Sequence, residues 1–315
     1  MAKTKVKPAD IARVKGMGFL LNRGTDSFSG RVVPAGGIFT AEQLSTIAEC
    51  AEKFGNGKVA FTSRLAAEIV GIPYEKIDEA VAFVEKCGLS FGGTGAKIRP
   101  VTTCKGTTCV YGNFDTQAMA KEIHDRYYLG WSDVKLPHKF KISVGGCPNS
   151  CMKPSLNDFG VEAHRIPQYD KEKCRGCKKC LIEAACPMKA AALNSDEQKL
   201  AIDQSVCTAC GVCTGKCPFG AVADHDDVKF KIFVGGTWGK KTRNGTPLSR
   251  LVERDEVFPL LEKTMLWFKK HAYQKERLGA AIDRVGVDQL EKELFSDSLL
   301  REKDEILAAE VKARP

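Results

Sequence analysis

Fourteen cysteines are spread along this 315-residue chain, and twelve of them fall into three groups of four. Two groups are compact runs: Cys174, Cys177, Cys180 and Cys186, then Cys207, Cys210, Cys213 and Cys217. The third is split, with Cys104 and Cys109 about forty residues ahead of Cys147 and Cys151. Thiolates at such spacings hold iron–sulfur clusters, which accept and release single electrons. The chain therefore reads as a redox protein. What remains is whether it only carries electrons or also delivers them to a substrate.

The second run, Cys207-x2-Cys-x2-Cys-x3-Cys217-Pro218, matches the bacterial ferredoxin signature in full. In that arrangement three close thiolates wrap one cubane and the fourth cysteine crosses to the other. One cluster is thus expected on Cys174, Cys177, Cys180 and Cys217, and the other on Cys207, Cys210, Cys213 and Cys186. The first run places five residues rather than three before Cys186, which Pro187 still follows. That lengthens a loop and keeps the ligand. Structural zinc also uses CxxC pairs, but zinc sites rarely combine CxxCxxC with Cys-Pro twice.

Alone, the split group could be a third cubane, a zinc site or buried thiols. Its setting says more. Thr102-Thr-Cys-Lys-Gly-Thr-Thr-Cys109 and Leu136-Pro-His-Lys-Phe-Lys-Ile-Ser-Val-Gly-Gly-Cys-Pro-Asn-Ser-Cys151 resemble the siroheme-binding sulfite and nitrite reductases. The likeness is greatest to the small anaerobic (C-subunit) and dissimilatory-type sulfite reductases, which also carry an inserted ferredoxin module. It covers roughly residues 18–290, and Gly-Gly-Cys-Pro-Asn-Ser-Cys is its most specific part. The resemblance implies a [4Fe–4S] cluster on Cys104, Cys109, Cys147 and Cys151, with the Cys151 thiolate also the axial ligand of siroheme iron. With the ferredoxin sites this makes three [4Fe–4S] clusters and one siroheme. Many members have five residues between the first two cysteines, where this chain has four.

Four basic residues stand where the family holds its anion. Arg31 precedes Pro34-Ala-Gly-Gly37, and Arg64 takes the Thr-x-Arg position after the strand Val59 to Thr62. Lys139 and Lys141 form the Lys-Phe-Lys element. Strand positions two apart share a face, so both ammonium groups are expected in one pocket. Such groups neutralise a small oxyanion, polarise its S–O bonds and stand near the protons that carry oxygen away as water. A single basic residue is usually just a solvated surface charge; four in the family's places argue for a site. Nitrite relatives tend to carry Lys-x-Asn where sulfite relatives carry Lys-x-Lys, so Lys141 favours sulfite. Siroheme carries eight carboxylates. By position its expected donors are Arg99, Lys105, Thr107, Thr108, Asn149, Lys240, Lys241, Arg243 and the backbone amides of Gly235, Gly236 and Thr237. His138 should point away from Lys139, into packing or a carboxylate contact. His124 reads as structural, and Cys50 and Cys87 as plain buried thiols.

The formal charge is +9, from 48 Lys and Arg against 39 Asp and Glu. An oxidised four-thiolate cluster carries about two negative charges, so three clusters remove roughly six. Much of the basic excess thus offsets cofactors. No arginine-rich arm or stacking motif accompanies it, so nucleic-acid binding is not expected. No apolar run is long enough to span a bilayer, and no basic segment leads into an apolar one at the start. Tight CxxC runs in a long chain argue against a secreted disulfide scaffold and for a reducing, anoxic cytoplasm.

The elements that must position these groups give an α+β chain, an α/β sandwich with an insertion. Residues 1–17 are basic and lack periodicity, and read as a flexible arm. Residues 18–100 read as a ferredoxin-like N-terminal reductase domain. There Thr40-Ala-Glu-Gln43 is a capping box opening a helix with Leu44, Ile47, Ala48 and Ala51 at helical spacing and Gly55 as its stop. Lys58 to Thr62 is a strand, and Pro73 opens a second helix closed by Gly88. Residues 101–164 form the first part of a siroheme/[4Fe–4S] domain. A strand from Lys97 to Thr102 delivers Cys104, Asp115 caps a helix to about Tyr128, and the strand Phe140 to Val144 ends at Gly-Gly-Cys147. Residues 165–224, with eight cysteines and little periodicity, read as an inserted ferredoxin domain whose clusters replace a large apolar core. Residues 225–290 complete the reductase domain through the strand Val228 to Val234 and a helix carrying Val257, Leu260, Leu261, Met265 and Phe268. Residues 291–315 read as an exposed charged tail. The strands ending near Cys147 and Gly235 are expected as neighbours across the insertion.

Long members of the resembled family contain two related halves, and this chain has one. The resemblance therefore implies a homodimer or larger assembly. Whether the four basic residues serve their own chain's cysteines or a partner's is left open. The leading reading is a six-electron reduction of sulfite to sulfide, with electrons entering at the ferredoxin module from a ferredoxin or a flavin/iron–sulfur subunit. No Gly-x-Gly-x-x-Gly unit offers direct NADH or NADPH use. Alternatives are reduction of nitrite to ammonia by the same cofactors, a non-catalytic electron-transfer subunit, and a siroheme-handling or redox-sensing protein. A pure carrier has no use for the four anion-site basics.

Overall fold

The computed structural model describes residues 5–194 and 196–314. Its first sheet contains β1 (Phe19–Leu21), β2 (Ser27–Val33), β3 (Val59–Phe61), β4 (Ala67–Pro73) and β5 (Ser90–Phe91). The order is β1-β2-β4-β3, with β5 paired to β2, and every pair is antiparallel. Helices α1 (Pro8–Gly16), α2 (Ala41–Phe54) and α3 (Ile77–Glu85) accompany it. β2 alternates, burying Phe28, Gly30 and Val32 while Ser29 and Arg31 lie on the other face. Phe28 and Val32 join Ile47, Cys50, Ile69, Ile72, Ile77 and Val84 in one core. The capping box forms as read: Thr40 Oγ1 accepts from the Gln43 amide at 3.1 Å, and Gln43 Oε1 accepts from the Thr40 amide at 3.0 Å. Leu44 is exposed, and Cys50 fills the inner face instead.

Most of the expected flexible arm is helix. Pro8 opens α1, Val14 is fully buried, and Ile11 and Met17 pack beside it on the first core. Three apolar contacts dock this helix, too few to stand out as a periodic pattern among basic residues. Residues 1–4 lie outside the described residues.

The second sheet starts with β6 (Thr102–Thr103), β7 (Ile142–Gly145) and β8 (Phe159–His164). Helix α4 (Thr116–Ile123) follows β6, capped by Asp115, and continues as a π turn over His124–Leu129. The inserted stretch holds α5 (Leu181–Ala185) and the hairpin of β9 (Ala191–Asn194) and β10 (Lys199–Ile202). β11 (Lys229–Val234) and β12 (Thr246–Pro247) complete the order β12-β11-β8-β7-β6. β6, β7 and β8 run parallel, while β8, β11 and β12 are antiparallel. The strands ending near Cys147 and Gly235 are therefore not neighbours, because β8 separates them. Every residue of β8 is buried, as a central strand requires. His164 and Lys229 pair directly, so the inserted stretch leaves and re-enters the sheet at one place. It has its own small core of Cys174, Ile182, Ala191, Leu200, Ala221 and Val222.

Helix α6 (Arg254–His271) covers this sheet, burying Val257, Leu261, Met265, Trp267 and Phe268. It is followed by α7 (Leu278–Val285), α8 (Val287–Leu294), α9 (Ser298–Arg301) and α10 (Lys303–Ala308). The expected exposed tail is thus packed: Leu294, Leu299 and Ile306 are buried in the same core. Each short helix gives one or two apolar residues and leaves its charges outside, so the sequence reads as polar. Burial of such side chains is worth about 1.5–3 kcal/mol each. Among the described residues no helix is long and apolar enough to cross a membrane.

Candidate active site

Parallel pairing of β6 with β7 sets Thr103 against Val144, so Cys104 and Cys147 leave the sheet at the same end. Gly146 makes the approach possible. A Cβ there would lie 3.2 Å from Gly106 Cα and 3.0 Å from the Thr116 methyl. Its amide donates to Cys104 Sγ at 3.3 Å. Burial pushes the Cys147 thiol up, and Cys104, Cys151 and Cys109 lie near enough to push it further. Yet among the described residues no three His, Cys, Asp or Glu side chains close around one metal ion.

Cys147 is buried and Cys151 exposed. Cys151 opens into a cavity of about 450 Å³ lined also by Arg64, Lys141, Lys153, Asn157 and Trp238. Arg64 and Lys141 therefore share a cavity with their own chain's Cys151. Arg64 reaches from the turn after β3 across to the second sheet. Its Nε and Nη2 donate to the Pro100 carbonyl at 3.1 and 2.6 Å, Nη2 to the Ile142 carbonyl at 2.9 Å, and Nη1 to Asn157 Oδ1 at 3.0 Å. Burial, with Arg99 and Arg31 nearby, lowers its pKa to about 10. The Lys141 amide donates to Asp158 Oδ2 at 2.9 Å. Burial lowers the Lys141 pKa to about 8, reinforced by Arg64, Arg277 and Lys139.

Lys139 lies in the same field of cations; burial and then Arg277 and Arg99 depress its pKa. Arg31 is outside the cavity lining. It pairs with Glu68, its cross-strand neighbour on β4, at 2.5 Å and donates to the Gly93 carbonyl at 3.1 Å. Arg99 donates to the carbonyls of Gly93 and Gly95, and burial and then Arg31 and Arg277 lower its pKa to about 10. His138 accepts the Lys139 amide on Nδ1 at 2.7 Å, and its pKa falls to about 4 through burial and the surrounding cations. It is a neutral ring near pH 7. His124 is buried and stacked on Tyr128 at 4.8 Å. Cys50 is fully buried, its pKa pushed up to about 11, while Cys87 is half-buried and touches Thr46 Oγ1 at 3.0 Å.

Several expected siroheme donors are already engaged. The amides of Gly235, Gly236 and Thr237 donate to the carbonyls of Asp158, Asn157 and Arg243. A Cβ on Gly236 would meet the Ser155 carbonyl oxygen at 2.3 Å, so this glycine serves close backbone packing rather than offering a free amide. Arg243 is held by Asp283 at 2.7 Å and by Thr246. Thr107 donates to Asp115 at 2.6 Å and accepts the Gln117 amide, supporting the start of α4. Thr108 closes a local turn on the Lys105 carbonyl. Lys105, Asn149, Lys240 and Lys241 are exposed.

Sequence reading missed four residues of this region. Asp158 is fully buried on the loop into β8 and takes both Arg277 Nη2 contacts, at 2.9 and 3.0 Å. Burial pushes its carboxyl up, and Arg277 and Lys141 pull the other way. Arg277 comes from the residue before α7, more than a hundred positions away, and no local signal marks it. Asn157 fixes Arg64. Lys153, in the left-handed region at φ 50°, holds its ammonium 5.3 Å from the Trp238 ring centre; its place two residues after Cys151 was a usable signal.

In the inserted module, Cys186, Cys207, Cys210 and Cys213 line one cavity of about 20 Å³. Burial pushes the Cys213 pKa up to about 11, with Cys210, Cys207 and Cys186 adding to it. Cys174, Cys180 and Cys217 pack at the module's own small core, as do Cys186 and Cys213. Asn113 Nδ2, four residues beyond Cys109, donates to the Cys210 carbonyl at 3.4 Å.

Comparison with known proteins agrees with this architecture. The family model described as nitrite and sulphite reductase 4Fe-4S domain matches residues 94–302, and the nitrite/sulfite reductase ferredoxin-like half domain matches residues 22–87. Coenzyme F420-dependent sulfite reductase of Methanocaldococcus jannaschii is 30% identical over 82% of this chain, and the match spans 40% of that protein's length. The C subunit of anaerobic sulfite reductase from Salmonella typhimurium is 28% identical over 82% of this chain and 77% of its own. The crystal structure of dissimilatory sulfite reductase I shares the fold, with a TM-score of 0.68 at 22% identity over 91% of this chain and 72% of that one. With the 4Fe–4S domain matched over more than half its residues, the chain belongs to the nitrite and sulphite reductase family.

Proposed function

We propose that the chain is a siroheme-dependent sulfite reductase that makes sulfide with six electrons, relayed by two ferredoxin-type clusters and a third [4Fe–4S] cluster. The observation that carries this reading is the single cavity joining Cys151 to Lys141 and Arg64. The residues fit the cofactors. Among the described residues, Arg99 Nε and Arg277 Nε are buried without a hydrogen-bond partner, in a region where cations outnumber Asp158 and Glu68. Such surplus donors suit a carboxylate-rich macrocycle and an oxyanion. Cys104, Cys109, Cys147 and Cys151 would hold the third cluster, and Cys151 the siroheme iron. Loaded, these groups would supply the electrons and the iron that receives the substrate.

The chain's own residues do the rest. Arg64, clamped by three acceptor residues, is a fixed cation beside the oxyanion. Lys141 remains mostly protonated at pH 7 yet gives up its proton more readily than an ordinary lysine, which suits a proton donor. Asp158 ties the Lys141 backbone to Arg277 and holds both in place. The Asn113–Cys210 contact supports electron passage from the module toward the Cys109 loop.

The test is anaerobic purification of the cofactor-loaded protein, then its absorption spectrum and assay of sulfide from sulfite and ammonia from nitrite. Siroheme bands with sulfide production are expected. Intact siroheme with fast nitrite turnover and none with sulfite would overturn the substrate assignment. Assembly as a homodimer or larger belongs to the same proposal; a light-scattering mass of one chain in the active, loaded enzyme would refute it.

A further inference from the structure

The two cysteine sets of the module differ in what surrounds them. The set of Cys186, Cys207, Cys210 and Cys213 faces the reductase body. The Arg165 amide donates to the Ala209 carbonyl at 2.8 Å, Asn113 reaches the Cys210 carbonyl, and Arg165 and Cys210 form a parallel bridge. Between Cys207 and Cys213 there is no charged residue. The set of Cys174, Cys177, Cys180 and Cys217 is the reverse. Arg175, Lys178 and Lys179 stand between its first three thiols, Lys216 precedes the fourth, and all four cations are exposed.

They also differ from the lysines just upstream. Lys171 and Lys173, just upstream, have Glu197 and Asp170 as partners at 2.7 and 3.1 Å. Among the described residues Lys178, Lys179 and Lys216 have no ion pair, and Arg175 lies 4.7 Å from the centre of the Phe219 ring. The carboxylates nearest in the chain are Glu172 and Glu183 for Arg175, Lys178 and Lys179, and for Lys216 it is Asp224, which pairs with Arg165 at 3.5 Å. Among these cations Leu181 is 55% exposed and Phe219 41%. Exposed apolar side chains among cations that lack an ion pair, beside a redox site, suit a transient protein interface.

We propose that this face docks an acidic electron-carrier protein, and that electrons enter the chain at the Cys174, Cys177, Cys180 and Cys217 site. The proposal rests on the redox reading of the module. Each encounter passes one electron: the carrier is oxidised by one, the module is reduced by one, and no bond forms or breaks. Opposite charge would speed the encounter and make it sensitive to salt.

The test uses the cluster-loaded protein and its double variant Lys178→Glu/Lys179→Glu, with equal iron content and circular dichroism checked first. Stopped-flow bleaching of the clusters is followed with a reduced acidic two-cluster ferredoxin, and separately with reduced methyl viologen. At low salt the reversal should slow reduction by ferredoxin about tenfold or more, with the difference closing at high salt and the viologen rate not falling. An unchanged ferredoxin rate, or an equal loss with both donors, would remove the docking face. If the double variant fails to load iron, Lys178→Gln/Lys179→Gln is measured the same way, with a smaller slowing expected. Sulfide assay with viologen runs alongside: no sulfide from the wild-type protein sinks the sulfite assignment, while the bleaching rates still decide the docking question.

Discussion

Replacing Lys141 with methionine separates the chemistry of the cavity from its architecture. The ammonium is held in a partly desolvated place beside Arg64, Arg277 and Lys139, which lowers its pKa from 10.5 to about 8. At about 1.36 kcal/mol per unit the full shift would be roughly 3 kcal/mol of unfavourable energy in the folded state. The side chain is part-exposed, so solvent screening reduces this to about 1 kcal/mol. Lys141→Met should therefore stabilise the substrate-free protein by about 1 kcal/mol, read as a higher urea midpoint under anaerobic conditions. Sulfide formation should fall about 100-fold or more, the typical worth of a positioned proton donor, with siroheme absorption unchanged. The pH dependence has a definite sign. The folded pKa lies below the unfolded one, so between about 8 and 10.5 the unfolded chain holds the extra proton. Wild-type stability gains from this group as pH rises through that window, and the variant loses the gain. Sulfite turnover should run the other way, declining above about pH 8 as the ammonium disappears. A variant that keeps wild-type sulfide production, or is less stable at pH 7, would refute this reasoning.

Other consequences are open to simple measurements. Asp158→Asn leaves the part-buried Arg277 without its carboxylate, and a loss of about 3 kcal/mol, the low end for a broken buried pair, is expected in a denaturant titration. Cys186→Ala should remove the cluster on Cys207, Cys210 and Cys213, lowering iron by about four atoms per chain; retention of that cluster's electron paramagnetic resonance signal would contradict the crossover. Thr40→Ala removes one side of the capping box, and about 1 kcal/mol of stability should go with it. None of that loss should reach the siroheme spectrum.

The sequence made short-range features plain. The capping box and the Asp115 cap are set by side chains within a few residues, and the strand ending at Val234 by its alternation. It failed where stability comes from sparse distant contacts. Helix α1 docks through Val14 and its neighbours, and α9 and α10 through Leu299 and Ile306, which look like polar segments when read alone. β8, buried on both faces, lacks alternation just as β7 does, and unlike β7 it has no Gly-Gly-Cys motif at its end to mark it.

For the site, the same division holds. Cysteine spacing by itself determined the ferredoxin-type thiol groups, because cluster ligands must lie close along the chain to wrap one cubane. The family motif placed Arg64, Lys141 and Cys151 among the residues to watch. Only the tertiary structure decided that these three line one cavity of a single chain, that Arg31 is matched by Glu68, and that the Gly235–Thr237 amides are already bonded. It also supplied Asp158 and Arg277, paired across more than a hundred residues. Contacts of that span follow from sheet register and helix packing, which no short stretch of sequence encodes.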